Sequence, residues 1–349
     1  MRSLTPNFLD SLSFSSRQLE TLTTIGNFQG KQALFEDRLP DALGALRDIA
    51  KVESAESSNR IEGIEAPRKR IQSITLEHTA PRDRSEQEIA GYRDALELVH
   101  ESALEMTISP SVIRQLHSMM HRYLPQSGGS WKPVDNEIVE RGMDGSWSVR
   151  FRPVSAVATP QAMEDLSKGL ERALHIEERS GLVVAPLAIL DFLCIHPFAD
   201  GNGRVSRLLT LLLLYRLGHQ VGRYISLERV VEQSKKTYYE ALGRSSSGWH
   251  EGRHDPHPWL DYFWGILLKA YGEFTDRVGS LNRAAGGKSA QVRAVVSRMT
   301  KSFALSDLQA ECPGVSLPTI KRELQAMRDE GLIMLQGRGR GAKWSRVGG

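Results

Sequence analysis

Apolar positions in the first half of the chain recur every three or four residues. Leu43, Leu46, Ile49 and Val52 stand three apart, and Ala95, Leu96 and Val99 share a face, so this half reads as helix. The period is lost over Ser127–Pro153, where Gly128, Gly129, Gly142 and Gly145 punctuate two β-capable runs, Glu137–Val139 and Ser146–Phe151. A hairpin or flap is expected there. Helical spacing returns over Pro160–Arg172 and Ala185–Cys194, breaks at His196–Gly203 and resumes over Val205–Leu217. A short glycine-containing loop therefore joins two helices. Further helices are expected at Lys235–Leu242 and Trp259–Val278.

Gly279–Ser289 (GSLNRAAGGKS) has the composition of a linker and marks a domain boundary. Beyond it the pattern predicts helix (Gln291–Met299), helix (Ser306–Glu311), a turn at Pro313–Gly314, helix (Pro318–Glu330) and two short strands around Gly337–Gly341. That order is a winged helix-turn-helix. The fold class is mainly α, with one small β-hairpin flap and this C-terminal module.

Composition adds bounds. At 349 residues, 40% hydrophobic and 25% charged, the chain can bury a substantial core and form two or three domains. Its two cysteines, Cys194 and Cys312, sit in apolar or helical contexts, which points to small core residues in a reducing compartment, the cytoplasm, rather than to a disulfide framework. The most apolar stretch, Leu208–Leu217, is interrupted by Thr210, Tyr215 and Arg216, so no membrane span is expected. A net charge of +3 is too small to imply nucleic-acid binding across the whole molecule.

The chemistry concentrates in His196–Arg207, HPFADGNGRVSR. Gly201 and Gly203 around Asn202 allow close backbone approach and aim N–H groups at an anion, immediately before a helix N-terminus. Arg204 and Arg207, three apart on the first turn, share a face and can reach successive phosphates. Asp200 adds a hard oxygen suited to Mg²⁺. His196, followed by Pro197, leaves the regular helix and can deprotonate an attacking hydroxyl. Any three of these residues fit a plain helix–loop–helix junction with a capping Asp and a surface arginine pair. Together they point to a nucleotide-phosphate site with its own base.

HPFADGNGRVSR resembles the Fic signature H-x-F-x-D/E-G-N-G-R-x-x-R at every specified position. The resemblance covers about Pro40–Ala270 and implies a Fic-type helical core. It implies that His196 is the base, that Phe198 packs beneath the loop and that Asp200 holds Mg²⁺. It further implies that Gly201, Asn202, Gly203, Arg204, Val205, Ser206 and Arg207 form the ATP phosphate site. Family members of this type move AMP from ATP to a hydroxyl of a target protein. Lys235–Leu242 resembles the family's R/K-x-x-Y-Y-x-x-L helix, making Tyr239 an adenine or ribose contact; an aromatic at that spacing also fits a core position.

Upstream, Ser57–Gly63 closes a predicted helix, with Gly63 suited to the left-handed C-cap and Ser58 and Glu62 on one face. A carboxylate in the last turn is disfavoured by the helix dipole by roughly 0.3–1 kcal/mol, so Glu62 needs a cation, for which Arg60, Arg68 and Lys69 are local choices. Ser58-Asn-Arg-Ile-Glu62-Gly63 also resembles the inhibitory S/T-x-x-x-E-G/N motif of Fic enzymes. That resemblance implies a pair with Arg207, autoinhibition, and in some members removal of AMP. It further implies that the flap clamps a target segment by strand-like pairing; a purely structural hairpin fits the sequence equally.

Two motifs carry no function. His250–His254 satisfies H-E-x-x-H, but Gly252 and the flanking Ser/Gly and Pro runs deny it the regular helix a zinc site needs. Gly287-Lys-Ser289 lacks the upstream glycine and strand of a P-loop.

Leu317–Gly349 carries seven positive residues (Lys321, Arg322, Arg328, Arg338, Arg340, Lys343, Arg346) against three negative ones (Glu323, Asp329, Glu330). Thr319, Lys321 and Arg322 on a recognition helix, with a basic wing Gly337–Gly341, suit DNA; a module for protein contacts or dimerisation is the alternative. The expected organisation is an N-terminal helical region (1–110, inhibitory helix about 41–63), a Fic catalytic core (111–278), a linker (279–289) and a winged helix (290–349). The expected function is a protein adenylyltransferase acting on a Ser, Thr or Tyr hydroxyl of a target and of itself, restrained by Glu62. The competing function is a nucleotide-sensing DNA-binding transcriptional regulator. Candidate partners are ATP with Mg²⁺, a target protein, a second copy of the chain, and DNA through the winged helix, with no membrane.

Overall fold

The computed structural model of the chain describes residues 2–38, 40–141, 147–299, 302–337 and 342–347. It divides into two compact units, Met1–Phe274 and Thr275–Gly349. The division falls inside a helix and not in the expected linker. Gly279–Ser289 is helical, continuous with His257–Arg298. Its Leu, Arg, Ala and Lys residues are good helix formers, and three glycines at about 1 kcal/mol each do not outweigh them.

The first unit is helical: α1 (Pro6–Asp10), α2 (Ser16–Arg38), α3 (Pro40–Ile61), α4 (Arg68–Glu77), α5 (Arg84–Ser102) and α6 (Pro110–Met120) precede a hairpin of β1 (Ile138–Arg141) and β2 (Trp147–Phe151). Then come α7 (Thr159–Glu171), extended by a π turn at Arg172–Ile176, and α8 (Gly181–Ile195), α9 (Asn202–Arg216), α10 (Leu227–Gln233), α11 (Lys235–Ser246) and α12 (His257–Arg298). The expected N-terminal region and core are not separate bodies. Ser54 of α3 and Tyr92 of α5 both bond Glu228 of α10, at 2.8 and 2.9 Å.

In α3 the buried positions are Leu43, Leu46, Ala50 and Val52, whereas Ile49 is 44% exposed. A strict spacing of three drifts off one face of a 3.6-residue helix, and Ala50 takes the inward position.

The loop that carries the motif lies between the two most deeply buried helices. Leu208, Leu209, Leu211, Leu212, Leu213 and Leu214 of α9 are all buried, at about 2 kcal/mol each. In α8, Pro186 lacks the N–H that would bond Leu182 O. The Trp264 indole of α12 donates to that carbonyl at 2.8 Å, and Trp259 donates to Pro186 O at 2.7 Å. Both flanks of the loop are thereby fixed. Cys194 is a buried free thiol, as is Cys312 in the second unit.

The hairpin is antiparallel, pairing Ile138 with Phe151 and Val139 with Val149, with a bulge between Ile138 and Val139. Gly142, Gly145 and Ser146 of the expected flap lie outside the described residues.

In the second unit, the end of α12 is followed by α13 (Leu305–Glu311), α14 (Leu317–Asp329) and an antiparallel hairpin, β3 (Ile333–Gln336) with β4 (Lys343–Arg346). Ser316 caps α14 and Gly314 makes the turn at φ +78°. Val292, Val296, Leu308, Ile320 and Leu324 form the core, and Phe303 pairs through its backbone with Trp344. The expected element order is present; the wing residues Arg338 and Arg340 lie outside the described residues.

Candidate active site

His196 ends α8 in the left-handed region, at φ 50° and ψ 62°, and its N–H donates to Phe192 O at 2.9 Å. The sequence favours an extended residue before Pro197, so this conformation costs about 1 kcal/mol and needs support from its surroundings. Its Nδ1 lies 3.3 Å from Leu193 O, which fixes the proton on Nδ1 and leaves the Nε2 lone pair free. Burial lowers its pKa to about 4, and the Lys132 and Arg150 cations act in the same direction against Leu193 O and Glu62. At neutral pH the ring is an acceptor.

The loop is closed from within. Phe198 N donates to Asn202 Oδ1 at 2.9 Å, and Asn202 Nδ2 donates back to Phe198 O at 2.8 Å. Asn202 therefore shapes the loop with its side chain. Phe198 is buried beneath it, as expected, stacked on His117 at 3.8 Å and 3°. His117 accepts from Gly129 N at Nδ1 (2.7 Å) and donates from Nε2 to Asp200 O (3.1 Å), a neutral ring whose pKa burial pushes down to about 4. Gly201 takes φ +79°, a conformation a side chain would strain.

Asn202, Gly203 and Arg204 open α9, so their N–H groups have no intrahelical acceptor and present the positive helix end to the cleft. Val205 N already bonds Gly201 O at 3.0 Å. The Val205 side chain is fully buried, and Ser206 Oγ bonds Gly203 O at 2.7 Å. Neither side chain lines the cleft.

The two arginines diverge. Arg204 is buried, with Nη1 2.7 Å from Glu88 Oε2 and 3.3 Å from Asn59 Oδ1, so its guanidinium braces α9 against α5 and α3. A three-residue step turns about 300°, leaving the two side chains some 60° apart, enough to separate them across this contact. Arg207 does line the cleft. Its Nε donates to Ser58 Oγ at 2.8 Å, and its Nη2 donates to Ser58 O at 2.9 Å and Glu62 Oε1 at 2.8 Å. Gly63, at φ +80°, terminates the turn carrying Glu62. A Cβ at Gly203 would lie 2.4 Å from Glu62 Oε1, so the glycine admits the carboxylate to the mouth of the loop.

The cleft is lined by His196, Glu62, Arg207 and the loop from Asp200 to Gly203, together with Arg150 and Phe151 of β2 and Tyr238, Tyr239 and Leu242 of α11. Tyr239 is 36% exposed, with the Arg150 guanidinium 5.9 Å from its ring centre, while Tyr238 is buried. Asp200 is 75% exposed; one oxygen takes the Gly201 N–H at 2.6 Å and the other lies 3.8 Å from Arg204 Nη2. Asp200 is the one cleft carboxylate, among the described residues, not engaged as Glu62 is. A cation there would complete its shell with phosphate oxygens and water, which suits Mg²⁺.

Lys132, His117, Glu88 and Arg150 were not singled out by the sequence, although Lys132 and Arg150 lie within the expected flap, Ser127–Pro153. His250 and His254 do not converge. His250 Nε2 contacts Arg152 O at 2.7 Å, and His254 Nε2 contacts Ser3 Oγ at 2.9 Å.

Residues 107–214, from the approach to α6 through most of α9, match the Fic/DOC family. The matched stretch is about a third of the chain and includes His196–Arg207. The chain's fold is similar to that of a Fic family protein from Desulfovibrio desulfuricans (TM-score 0.63, 19% identity, 97% of this chain and 98% of that one). It is also similar to a Fic domain containing signaling protein from Bacteroides thetaiotaomicron (0.61, 19%, 73% and 97%) and to Fic-1 from C. elegans (0.57, 17%, 77% and 74%). Glu62 and Tyr239 lie outside the matched stretch. Among the described residues no helix is long and apolar enough to cross a membrane.

Proposed function

We propose that the chain is a protein adenylyltransferase, transferring AMP from ATP to a hydroxyl of a target protein and of itself, restrained by Glu62. The observation that carries this reading is the neutral His196, with Nε2 free, at the entrance to the unpaired N–H groups of α9. The target oxygen attacks the α-phosphorus as Nε2 takes its proton; an O–P bond forms, the bond to the β-phosphate oxygen breaks, and pyrophosphate leaves. The N–H groups of Gly203 and Arg204 receive charge developing on the phosphoryl oxygens. Mg²⁺ held by Asp200 would neutralise polyphosphate charge. Tyr239 offers a face to the base or ribose.

Glu62 occupies the Arg207 guanidinium that would otherwise meet the terminal phosphate, so ATP would bind in a non-productive pose. The same carboxylate could position a water for AMP removal. A nucleotide sensor has no use for a base held in the accepting tautomer, which favours the enzyme. The test is transfer of label to protein from ATP labelled at the α-phosphorus but not at the γ-phosphorus, lost in His196→Ala.

For the second unit we propose a winged helix with a DNA-facing side. Arg293 engages both Glu323 and Glu330. Lys321 and Arg322 on α14 are exposed and have no ion-pair partner among the described residues.

A further inference from the structure

We infer that Lys132 is a positioning residue for His196, gripping the carbonyls on both sides of it so that the histidine keeps its left-handed turn and points Nε2 into the cleft. This inference rests on the reading of His196 as the base. Lys132 N donates to Pro197 O at 2.8 Å, and Lys132 Nζ donates to Ile195 O at 3.1 Å. The bonds fall on residues 195 and 197, directly flanking the histidine. Asn136 completes the clamp: its Oδ1 accepts from Lys132 Nζ at 2.8 Å, and its Nδ2 donates to Phe198 O at 3.3 Å. Three carbonyls around the histidine, those of Ile195, Pro197 and Phe198, are thus held by one short segment, Lys132–Asn136, directly before β1.

Lys132 is almost wholly buried, at 3% exposure. Its ammonium meets Ile195 O at the C-terminal end of α8, where the helix dipole favours a cation. A backbone turn that strains a non-glycine residue persists only where its surroundings over-determine it, and these bonds supply that determination.

The clamp also carries charge. His196 faces Lys132, Arg150 from β2 and Glu62 beyond α3, and Lys132 itself faces Asp135. Burial pushes the Lys132 ammonium down to about 8. A positive Lys132 disfavours protonation of His196; above pH 8 that influence fades and the imidazole becomes more basic.

The experiment is an NMR titration of the His196 ring in the full chain, with Lys132→Met and Lys132→Arg. In the unmodified chain the ring signal should titrate near pH 4 and show a second inflection near pH 8. Lys132→Met should move the first midpoint upward and abolish the second inflection, while Lys132→Arg should leave the first midpoint in place. In a Glu62→Gly background, Lys132→Met should lower kcat about tenfold or more with the KM for ATP unchanged within about twofold. An unmoved His196 midpoint in folded Lys132→Met overturns the inference, as does absence of the pH 8 inflection in the unmodified chain should that variant not fold. If Glu62→Gly transfers no AMP, the adenylyltransferase reading fails, while the titration still decides the role of Lys132.

Discussion

Glu62 Oε1 and Arg207 Nη2 stand 2.8 Å apart, joining the end of α3 to the first turns of α9 at the mouth of the anion loop. Arg207 is 6% exposed by side chain and Glu62 31%, so the pair is half-buried, and the guanidinium is also bonded twice to Ser58. A cation so enclosed can serve a carboxylate or a phosphate, not both.

The turn bearing Glu62 is latched from the other side. Lys235 Nζ donates to Ile61 O at 2.7 Å, and Arg60 pairs with Glu232 at 3.1 Å. Lys235→Met should loosen the turn and raise self-labelling to a level between those of the unmodified chain and Glu62→Gly. In the double variant with Glu62→Gly it should add nothing, as a rate comparison of the four proteins would show.

The pH dependence follows from His196. Its pKa is lowered to about 4, so the base is deprotonated above that value and protonated below it. In Glu62→Gly, which lacks the carboxylate that raises the His196 pKa, kcat/KM should stay flat from about pH 7 to pH 5 and fall only below about pH 4; an unperturbed histidine would lose half its activity near pH 6.5. A pH–rate profile distinguishes the two.

His117 ties α6 to the loop by a stack on Phe198 and a hydrogen bond to Asp200 O, and to Gly129 N by a second hydrogen bond. His117→Phe keeps the stack but leaves Gly129 N and Asp200 O without this partner, which should cost about 2 kcal/mol of stability and weaken nucleotide binding. Urea unfolding and calorimetric titration with ATP would measure both.

For the second unit, affinity of the full chain for duplex DNA should fall steeply as salt rises, and Lys321→Ala/Arg322→Ala should reduce the slope by about two. Binding insensitive to salt would point instead to protein contacts.

Much of this was legible in the sequence because it is local. The loop, its flanking helices and the glycine at the end of α3 are set by neighbours in the chain. The contact of Arg204 with Glu88 was not legible because that partner lies 116 residues away, and spacing alone does not reveal a buried carboxylate. His117 and Lys132 sit in a stretch whose pattern signals only a break, and their roles come from contacts with Phe198, Ile195 and Pro197. Gly279–Ser289 misled through its glycines, which a long helix tolerates. Glu62 was reached through a resemblance, since its own spacing offered Arg60, Arg68 and Lys69 equally.

The most direct test of the central claim compares self-labelling of the unmodified chain and of Glu62→Gly with ATP radiolabelled at the α-phosphorus. Removing a competing contact worth about 1.4–2.8 kcal/mol should raise the labelling rate roughly ten- to hundredfold, with His196→Ala abolishing it in either background. Equal labelling of the two proteins would contradict the account.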